Sequence, residues 1–420
     1  MDGLRDLFGR AVLRLLAPGA EEIVLTRAGV RSASSSGAKK IPLTDLLGRA
    51  AVNLDTPEMQ RFLAGKRLVV TGAGGSIGSE ICRQMMRFLP QRVILVERTE
   101  NNLFEIDREL RERWVGADLR PCIADICDAR RIGEIFASER PQVVFHCAAH
   151  KHVPMMEHNP CEAIKNNVFG TKTVADAALA AGTSAFVLIS TDKAVNPSSV
   201  MGASKRVAEL YLQSLNEPGE PGPASPHART RFVAVRFGNV LGSSGSVAPI
   251  FQKQIDAGGP VTVTHPDMQR YFMTIPEASQ LVMQAGAIGR GGDVMLLDMG
   301  SPIKIVDLAR EMILRNGLRP HEDIQIQFTG IRPGEKLYEE LACDDEQTGP
   351  TSHEKIRVWR LPPVSPRQVK AKLELLTAAL HGAPEEAIGA LRRCVPEYRT
   401  PAAPHLRIAG EQSEEIPEAA

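Results

Sequence analysis

Thr191, Asp192 and Lys193 set a hydroxyl, a carboxylate and an amine on three consecutive residues. An acid and a base held side by side can move two protons on one bound molecule. The three follow Ala185-Phe-Val-Leu-Ile189, a short apolar run that reads as a buried strand. The carboxyl end of such a strand is where an open α/β sheet presents its chemistry. Met201 and Lys205 come next, four residues apart and so one helical turn from each other. Met201 has no proton to give and no site to take one. As a plain surface ion pair, Asp192 and Lys193 would contribute ~0–1 kcal/mol and no chemistry. Their strand-end setting, with Lys205 following, favours a functional reading.

The elements that must position these groups can be read upstream. Arg67–Thr71 is a first strand that runs into Gly72-Ala-Gly-Gly-Ser-Ile-Gly78 and a helix over Ser79–Phe88. Gly72, Gly74, Gly75 and Gly78, with Ser76 and Ile77, let the backbone turn tightly and approach a pyrophosphate at a helix N-terminus. Arg92–Glu97 is the second strand, and it ends in an acid where a carboxylate meets the adenosine ribose hydroxyls. Glu97 favours NAD, while Arg98 beside it can hold a 2′-phosphate and leaves NADP open. Leu119–Ala124 is a third strand, with Asp125 and Ile126 placed to meet the adenine, and a helix follows near Ala129–Ser138. Gln142–His146 is a fourth, and Cys147, Ala148 and Ala149 make a small-residue floor for the cofactor. His146, His150, His152 and His158 lack the Cys or carboxylate framework of a metal site. Lys151 and His152 read instead as polar contacts on a loop over the substrate. A long helix is expected over Pro160–Ala181, carrying Asn166 and Asn167.

After the Pro- and Gly-dense insertion from Asn216 to Thr230 and a strand at Arg231–Arg236, the segments shorten and Gly-rich turns multiply. Arg270 and Arg332 stand beside turn formers there, and arginine forks suit a diphosphate. Two helices are expected over 365–395. The domain reading is a lead-in and linker over 1–64 and a dinucleotide-binding domain over 65–236. A substrate-binding region over 237–360 shares strands with that sheet. C-terminal helices over 361–399 and a disordered tail over 400–420 follow. Within the lead-in, 1–17 reads as a docking helix, 31–40 as a linker, and Thr44-Asp45 and Thr56-Pro57-Glu58 as helix starts.

Bulk properties narrow the class. Hydrophobic residues make up 43% and charged residues 24% of 420, ordinary for a globular protein of one or two domains. Zero formal net charge gives no reason to expect a nucleic-acid partner. Seven dispersed Cys read as reduced thiols in a cytoplasm. No apolar run reaches the ~18 residues that would read as a membrane span.

Several stretches together resemble a known family. Thr71-Gly-x-x-Gly-x-x-Gly78 is similar to the extended short-chain dehydrogenase fingerprint. Gly72–Glu80, Lys151–Glu157, Ser190–Pro197, Val261–Met268 and Gly330–Leu337 resemble the CapD-like polysaccharide-biosynthesis proteins, over roughly residues 41–360. The resemblance implies an α/β fold, a doubly wound parallel sheet of Rossmann type, with a smaller α/β C-terminal substrate-binding region. It implies a homo-oligomeric nucleotide-sugar 4,6-dehydratase, a hydro-lyase, acting on UDP-N-acetylglucosamine for surface glycans. Met201 occupies the slot where short-chain dehydrogenases usually carry Tyr, as in many long members. Long members also have an N-terminal membrane region, of which this chain is expected to keep only the end; a cytoplasmic location, at the inner membrane face or free, follows.

By the same resemblance, Gly72, Gly75, Gly78, Glu97, Asp125, Ile126 and Lys205 hold the dinucleotide. Thr191, Asp192 and Lys193 carry the elimination, and Lys151, Asn239, Arg270, Arg332 and Glu335 hold the nucleotide sugar. A 4,6-dehydratase oxidises C4, loses the C5 proton and the C6 hydroxyl, and returns the hydride to C6. The family favours Asp192 as acid and Lys193 as base, against an ordinary pKa gap of roughly 6.5 units. The opposite assignment needs no shift, and the residues leave the choice open. They also leave open a 4-epimerase and inversion at C5.

Overall fold

Short apolar runs alternating with amphipathic stretches can bury both strand faces in a parallel sheet with helices on each side. The computed structural model has this arrangement and describes residues 56–216, 230–341, 348–359 and 362–399. The expected helix over 1–17, the linker 31–40, the start at Thr44-Asp45, most of the insertion after Asn216 and the tail lie outside the described residues.

Helix α1 (Pro57–Leu63) opens on Thr56, whose hydroxyl accepts from the Met59 N–H. Strands and helices then alternate: β1 (Arg67–Thr71), α2 (Ser76–Met85), β2 (Arg92–Glu97), α3 (Glu100–Arg113), β3 (Leu119–Ile123), α4 (Ala129–Glu139) and β4 (Val143–His146). The chain continues through α5 (Val153–His158), α6 (Pro160–Ala163), a π-helical stretch (Ile164–Gly170) and α7 (Thr171–Ala180) to β5 (Ala185–Ile189), α8 (Val200–Asn216) and β6 (Arg231–Arg236). Beyond come β7 (Asn239–Leu241), α9 (Val247–Asp256), β8 (Val261–Val263), β9 (Gln269–Arg270), β10 (Phe272–Thr274) and α10 (Ile275–Ile288). The last elements are β11 (Val294–Leu297), β12 (Ile303–Lys304), α11 (Ile305–Arg315), β13 (Ile326–Phe328), β14 (Thr348–Pro350), β15 (Ile356–Trp359), α12 (Pro366–Ala379) and α13 (Pro384–Cys394).

Among the described residues, nine strands form the main sheet in the order β14-β15-β11-β6-β5-β4-β1-β2-β3. Strands β3 to β11 of that row run parallel, and β15 and β14 close the edge antiparallel. Strand order reverses between β1 and β4, the crevice where such sheets bind ligands. Ile132, Val174, Val207 and Leu391 pack on one face of the sheet. Met59, Ile81, Leu103 and Leu281 cover the other. A separate cluster, including Phe251, Val263, Met312 and Ile326, forms the core of a smaller region beyond β6. Each such side chain contributes ~1.5–3 kcal/mol by burial.

The expected long helix over Pro160–Ala181 runs unbroken from Pro160 to Ala180 and contains the π stretch. That stretch carries Asn167, whose side chain accepts from the His150 N–H at 2.8 Å and donates to Ser204 Oγ at 3.1 Å. It ends at Gly170, where a Cβ would lie 2.6 Å from Ile126 Cδ1. Widened turns of this kind are frequent near functional sites. Among the described residues, no helix is long and apolar enough to cross a membrane.

Candidate active site

At the end of β1 the chain must reverse at once to start α2. Gly72 takes a φ of 65°, and a Cβ there would meet Ala148 N at 2.8 Å. A Cβ on Gly78 would sit 2.1 Å from the Gly72 carbonyl oxygen. Side chains at either position would fill the space by which the turn meets the floor and the helix meets the turn. The N-cap of α2 is Gly75, with no side chain capping the first-turn N–H groups. Gly72, Gly75, Ser76, Ile77 and Gly78 line a cavity of about 910 Å³, as does Ala149. Uncapped N–H groups at a helix start fit a phosphate anion, so this cradle fits a dinucleotide.

Glu97 stands at the end of β2, and its carboxylate accepts from the N–H groups of Gly74 (3.2 Å), Arg98 (2.9 Å) and Thr99 (3.0 Å). Arg98 turns to Asp125, 3.6 Å away. Burial pushes Asp125 up, but the Cys127 amide and Arg98 outweigh it and hold Asp125 below the usual carboxylate range. Ile126 is buried against Gly170. Glu97, Arg98, Asp125, Ile126, Gly74 and Ala148 lie outside the lining of the large cavity.

Across the cavity, β5 delivers Thr191, Asp192 and Lys193. The Asp192 N–H donates to the Phe237 carbonyl, which fastens the turn to the strand extension beyond β6. Asp192 is buried, and its neighbours Thr191 and Lys193 line the cavity in its place. The Thr191 hydroxyl donates to Asp192 Oδ1 at 2.8 Å, and Lys193 Nζ donates to the same oxygen at 3.0 Å. Lys193 Nζ also reaches Asn239 Oδ1 at 3.3 Å and Glu339 Oε1 at 3.3 Å. Burial draws the Lys193 amine down, but Asp192 and Glu339 prevail and hold it above its ordinary value. Met201 and Lys205 line the cavity from α8. Burial lowers Lys205 to about 8, against the opposing pull of Glu209. His146 is buried between Thr71 and Thr171, and burial lowers it to about 3, which makes it a neutral bracing group.

The residues expected to touch a nucleotide sugar come from four separate segments. Lys151 Nζ donates to Ser243 Oγ at 3.3 Å, and burial lowers its pKa. His152 lies against Gly245, where a Cβ would meet its ring at 2.7 Å; burial, then Lys151 and Arg332, lower its pKa. Arg270 is 8% exposed, and its guanidinium donates to the carbonyls of Gln269 (2.7 Å) and Lys336 (2.8 Å). Arg332 is more open and pairs with Glu335 at 2.5 Å. All of these, with Asn239, line the same cavity as the glycine turn.

Three features escaped the sequence reading. Glu339 joins Lys193 to Arg270. Ser244 N–H donates to Ser76 Oγ at 3.1 Å, tying the smaller region to the first turn of α2. Glu209 is buried and accepts from Ser190 Oγ, the residue before Thr191, at 2.7 Å and from Arg236 Nε at 2.7 Å. Burial raises Glu209, but Arg236 outweighs it and keeps the carboxyl below its ordinary value. A charged residue ending an otherwise buried strand, as Arg236 does, is the one cue the sequence offered. Among the described residues, no three His, Cys, Asp or Glu side chains gather at ligand spacing.

Comparison with known proteins bears on this geometry. A family model described as polysaccharide biosynthesis protein matches residues 68–360. The capsular polysaccharide biosynthesis protein CapD of Staphylococcus aureus is 56% identical over 76% of this chain and 52% of CapD. A UDP-N-acetylglucosamine 4,6-dehydratase (inverting) of Campylobacter jejuni is 32% identical over 67% of this chain and 79% of that relative. A UDP-glucose 4-epimerase of Rickettsia massiliae is 33% identical, with the same two shares. The X-ray structure of Pen from Bacillus thuringiensis has a TM-score of 0.64 at 34% identity, covering 72% of this chain and 92% of Pen. The chain thus spans about half the length of CapD.

Proposed function

We propose, from the premise that this chain belongs to the polysaccharide biosynthesis protein family, that it is a nucleotide-sugar 4,6-dehydratase. The proposed substrate is UDP-N-acetylglucosamine, and the proposed use of the product is surface glycan synthesis. One observation carries the reading: the carboxylate of Asp192 and the amine of Lys193 lie 3.0 Å apart beside a cavity that also takes in the glycine turn. In this reading residues 65–236 serve the cofactor and 237–360 the sugar nucleotide. The Campylobacter relative's name also supports it.

When bound, the dinucleotide supplies the hydride acceptor for sugar C4 and the donor back to C6. Gly72, Gly75 and Gly78 would approach the pyrophosphate, and the N–H groups of Ser76 and Ile77 would donate to it. Glu97 supports NAD over NADP, because a 2′-phosphate would meet a carboxylate that three backbone N–H groups hold in place. Lys205 would hold the nicotinamide ribose. Arg270, Arg332 and Lys151 would meet the diphosphate.

Met201 offers nothing to the C4 hydroxyl, so its proton needs another path. The Thr191 hydroxyl lines the cavity while donating to Asp192, which supports a relay from substrate through Thr191 to Asp192. Lys193 begins as an ammonium, ion-paired to Asp192 and Glu339. Once Asp192 has released the C4 proton to solvent, Lys193 donates to the leaving C6 oxygen and Asp192 takes the C5 proton, again through Thr191. The reverse assignment, which family resemblance favours, first moves one proton across the 3.0 Å bond from Lys193 to Asp192.

The test is NMR of the product from UDP-N-acetylglucosamine. A 4-keto-6-deoxy sugar is expected, and a product changed at C4 alone would overturn the reading in favour of an epimerase. Inversion at C5 is the second reading, supported by the name of the Campylobacter relative; the same spectrum reports that configuration.

A further inference from the structure

Glu339 lies beyond β13 in the cavity wall, its side chain 2% exposed. Its Oε1 is 3.3 Å from Lys193 Nζ and 3.5 Å from Arg270 Nε. Its Oε2 is buried without a hydrogen-bond partner. One carboxylate therefore bridges the amine assigned to elimination and the guanidinium assigned to the diphosphate. Burying a carboxylate is expensive unless cations compensate it, and here both compensating cations are site residues. Its backbone is anchored nearby: Lys336 Nζ donates to the Val195 carbonyl at 3.0 Å, and Ser198 Oγ to the Gly334 carbonyl at 2.9 Å. The segment bearing Glu339 is thus fastened to the loop that bears Lys193.

We infer that Glu339 is a positioning residue that couples the diphosphate arginine to the catalytic lysine. It fixes the direction of the Lys193 amine, helps maintain its charge, and holds the Arg270 guanidinium against the cavity. The inference rests on the nucleotide-sugar reading given above. The charged groups facing Lys193 are Asp192 from its own turn, Glu339 from the segment after β13, and Arg270 from β9; Asn239 from β7 is the neutral neighbour. Burial and Arg270 lower the lysine, while Asp192 and Glu339 raise it. Losing the Glu339 charge must therefore move Lys193 downward.

Glu339→Gln keeps the shape and removes the charge. The limb of the kcat–pH profile set by Lys193 should move to lower pH by about one unit or more, the usual effect of losing an opposite charge at this range. The KM effects of Glu339→Gln and Arg270→Ala should be non-additive, the double variant being less impaired than the product of the two single changes. An unmoved limb together with multiplying KM effects overturns the inference. Should Glu339→Gln fail to fold by circular dichroism, Glu339→Asp carries the test. It keeps the charge but withdraws it, so kcat should fall at least several-fold with a pH limb moved less than a unit; parental kcat would overturn the assignment. If the parent protein does not turn over UDP-N-acetylglucosamine, it is the dehydratase reading that fails. The same two variants are then compared in UDP binding by calorimetry, where non-additive Kd changes uphold the bridge and additive ones overturn it.

Discussion

Around Gly72–Gly78 the cavity wall is backbone, and its shape follows from steric contacts between the ends of the adjacent strands β1 and β4. Around Arg270, Arg332 and Glu339 the wall is made of charged side chains from short segments, each holding another. The first kind of wall tolerates no added atoms but carries no net charge of its own. The second tolerates changes of shape but depends on charge balance. Between them stands the Thr191–Lys193 turn, fixed by β5 on one side and paired with Glu339 on the other. Under the proposed function the rigid wall meets the dinucleotide. Under the same reading the charged wall meets the substrate diphosphate.

The largest expected effect separates chemistry from both walls. Lys193→Ala should lower turnover of UDP-N-acetylglucosamine by ~10²–10⁴, while calorimetry finds dinucleotide affinity within a few-fold of the parent. A comparable loss of dinucleotide affinity would mean that the lysine belongs to the cofactor wall.

Next comes the rigid wall itself. Gly78→Ala forces a methyl to within 2.1 Å of the Gly72 oxygen. Overpacking of this order costs ~1–3 kcal/mol, so Tm should fall and dinucleotide binding should weaken with it. An unchanged Tm would show that the turn yields as easily as the opposite wall.

Arg270→Ala probes the charged wall and should raise KM about tenfold or more, since a charge-assisted hydrogen bond is worth ~1.5–3 kcal/mol. Tm should fall as well, because the buried Glu339 carboxylate loses one of its two compensating cations. An unchanged KM would assign Arg270 to holding the backbone of Gln269 and Lys336.

The smallest effect is a pH dependence. Lys205, lowered to about 8, is an ammonium below that pH and neutral above it. Dinucleotide affinity should therefore decline by a few-fold as pH rises through 8, and Lys205→Met should bind more weakly with a flat profile across the same range. A flat profile in the parent would remove the charge of Lys205 from cofactor binding.

How far the sequence could be read follows the same division. Arg67–Thr71, Arg92–Glu97, Ala185–Ile189 and Arg231–Arg236 are strands at the boundaries their apolar runs suggest. The glycine turn and Thr191–Lys193 were legible because each is a local motif at a strand end. The helix expected over Pro160–Ala181 hid its π stretch, because Asn167 is drawn in by His150 and Ser204, partners distant in sequence. Glu339 was invisible for a like reason: nothing in Tyr338-Glu-Glu-Leu341 distinguishes it from Glu340, which reaches Lys336 and Asn196 instead.

By itself, the sequence determined the alternation of strand and helix, the turn that only glycine can make, and the adjacency of hydroxyl, acid and amine. Those depend on local sterics and periodicity, which neighbouring residues settle among themselves. Only the tertiary structure decided which carboxylate faces Lys193, that Asp192 lies behind Thr191, and that Arg270 is buried while Arg332 is open. Such pairings join residues far apart in the chain, and electrostatics acts through the distances that folding creates.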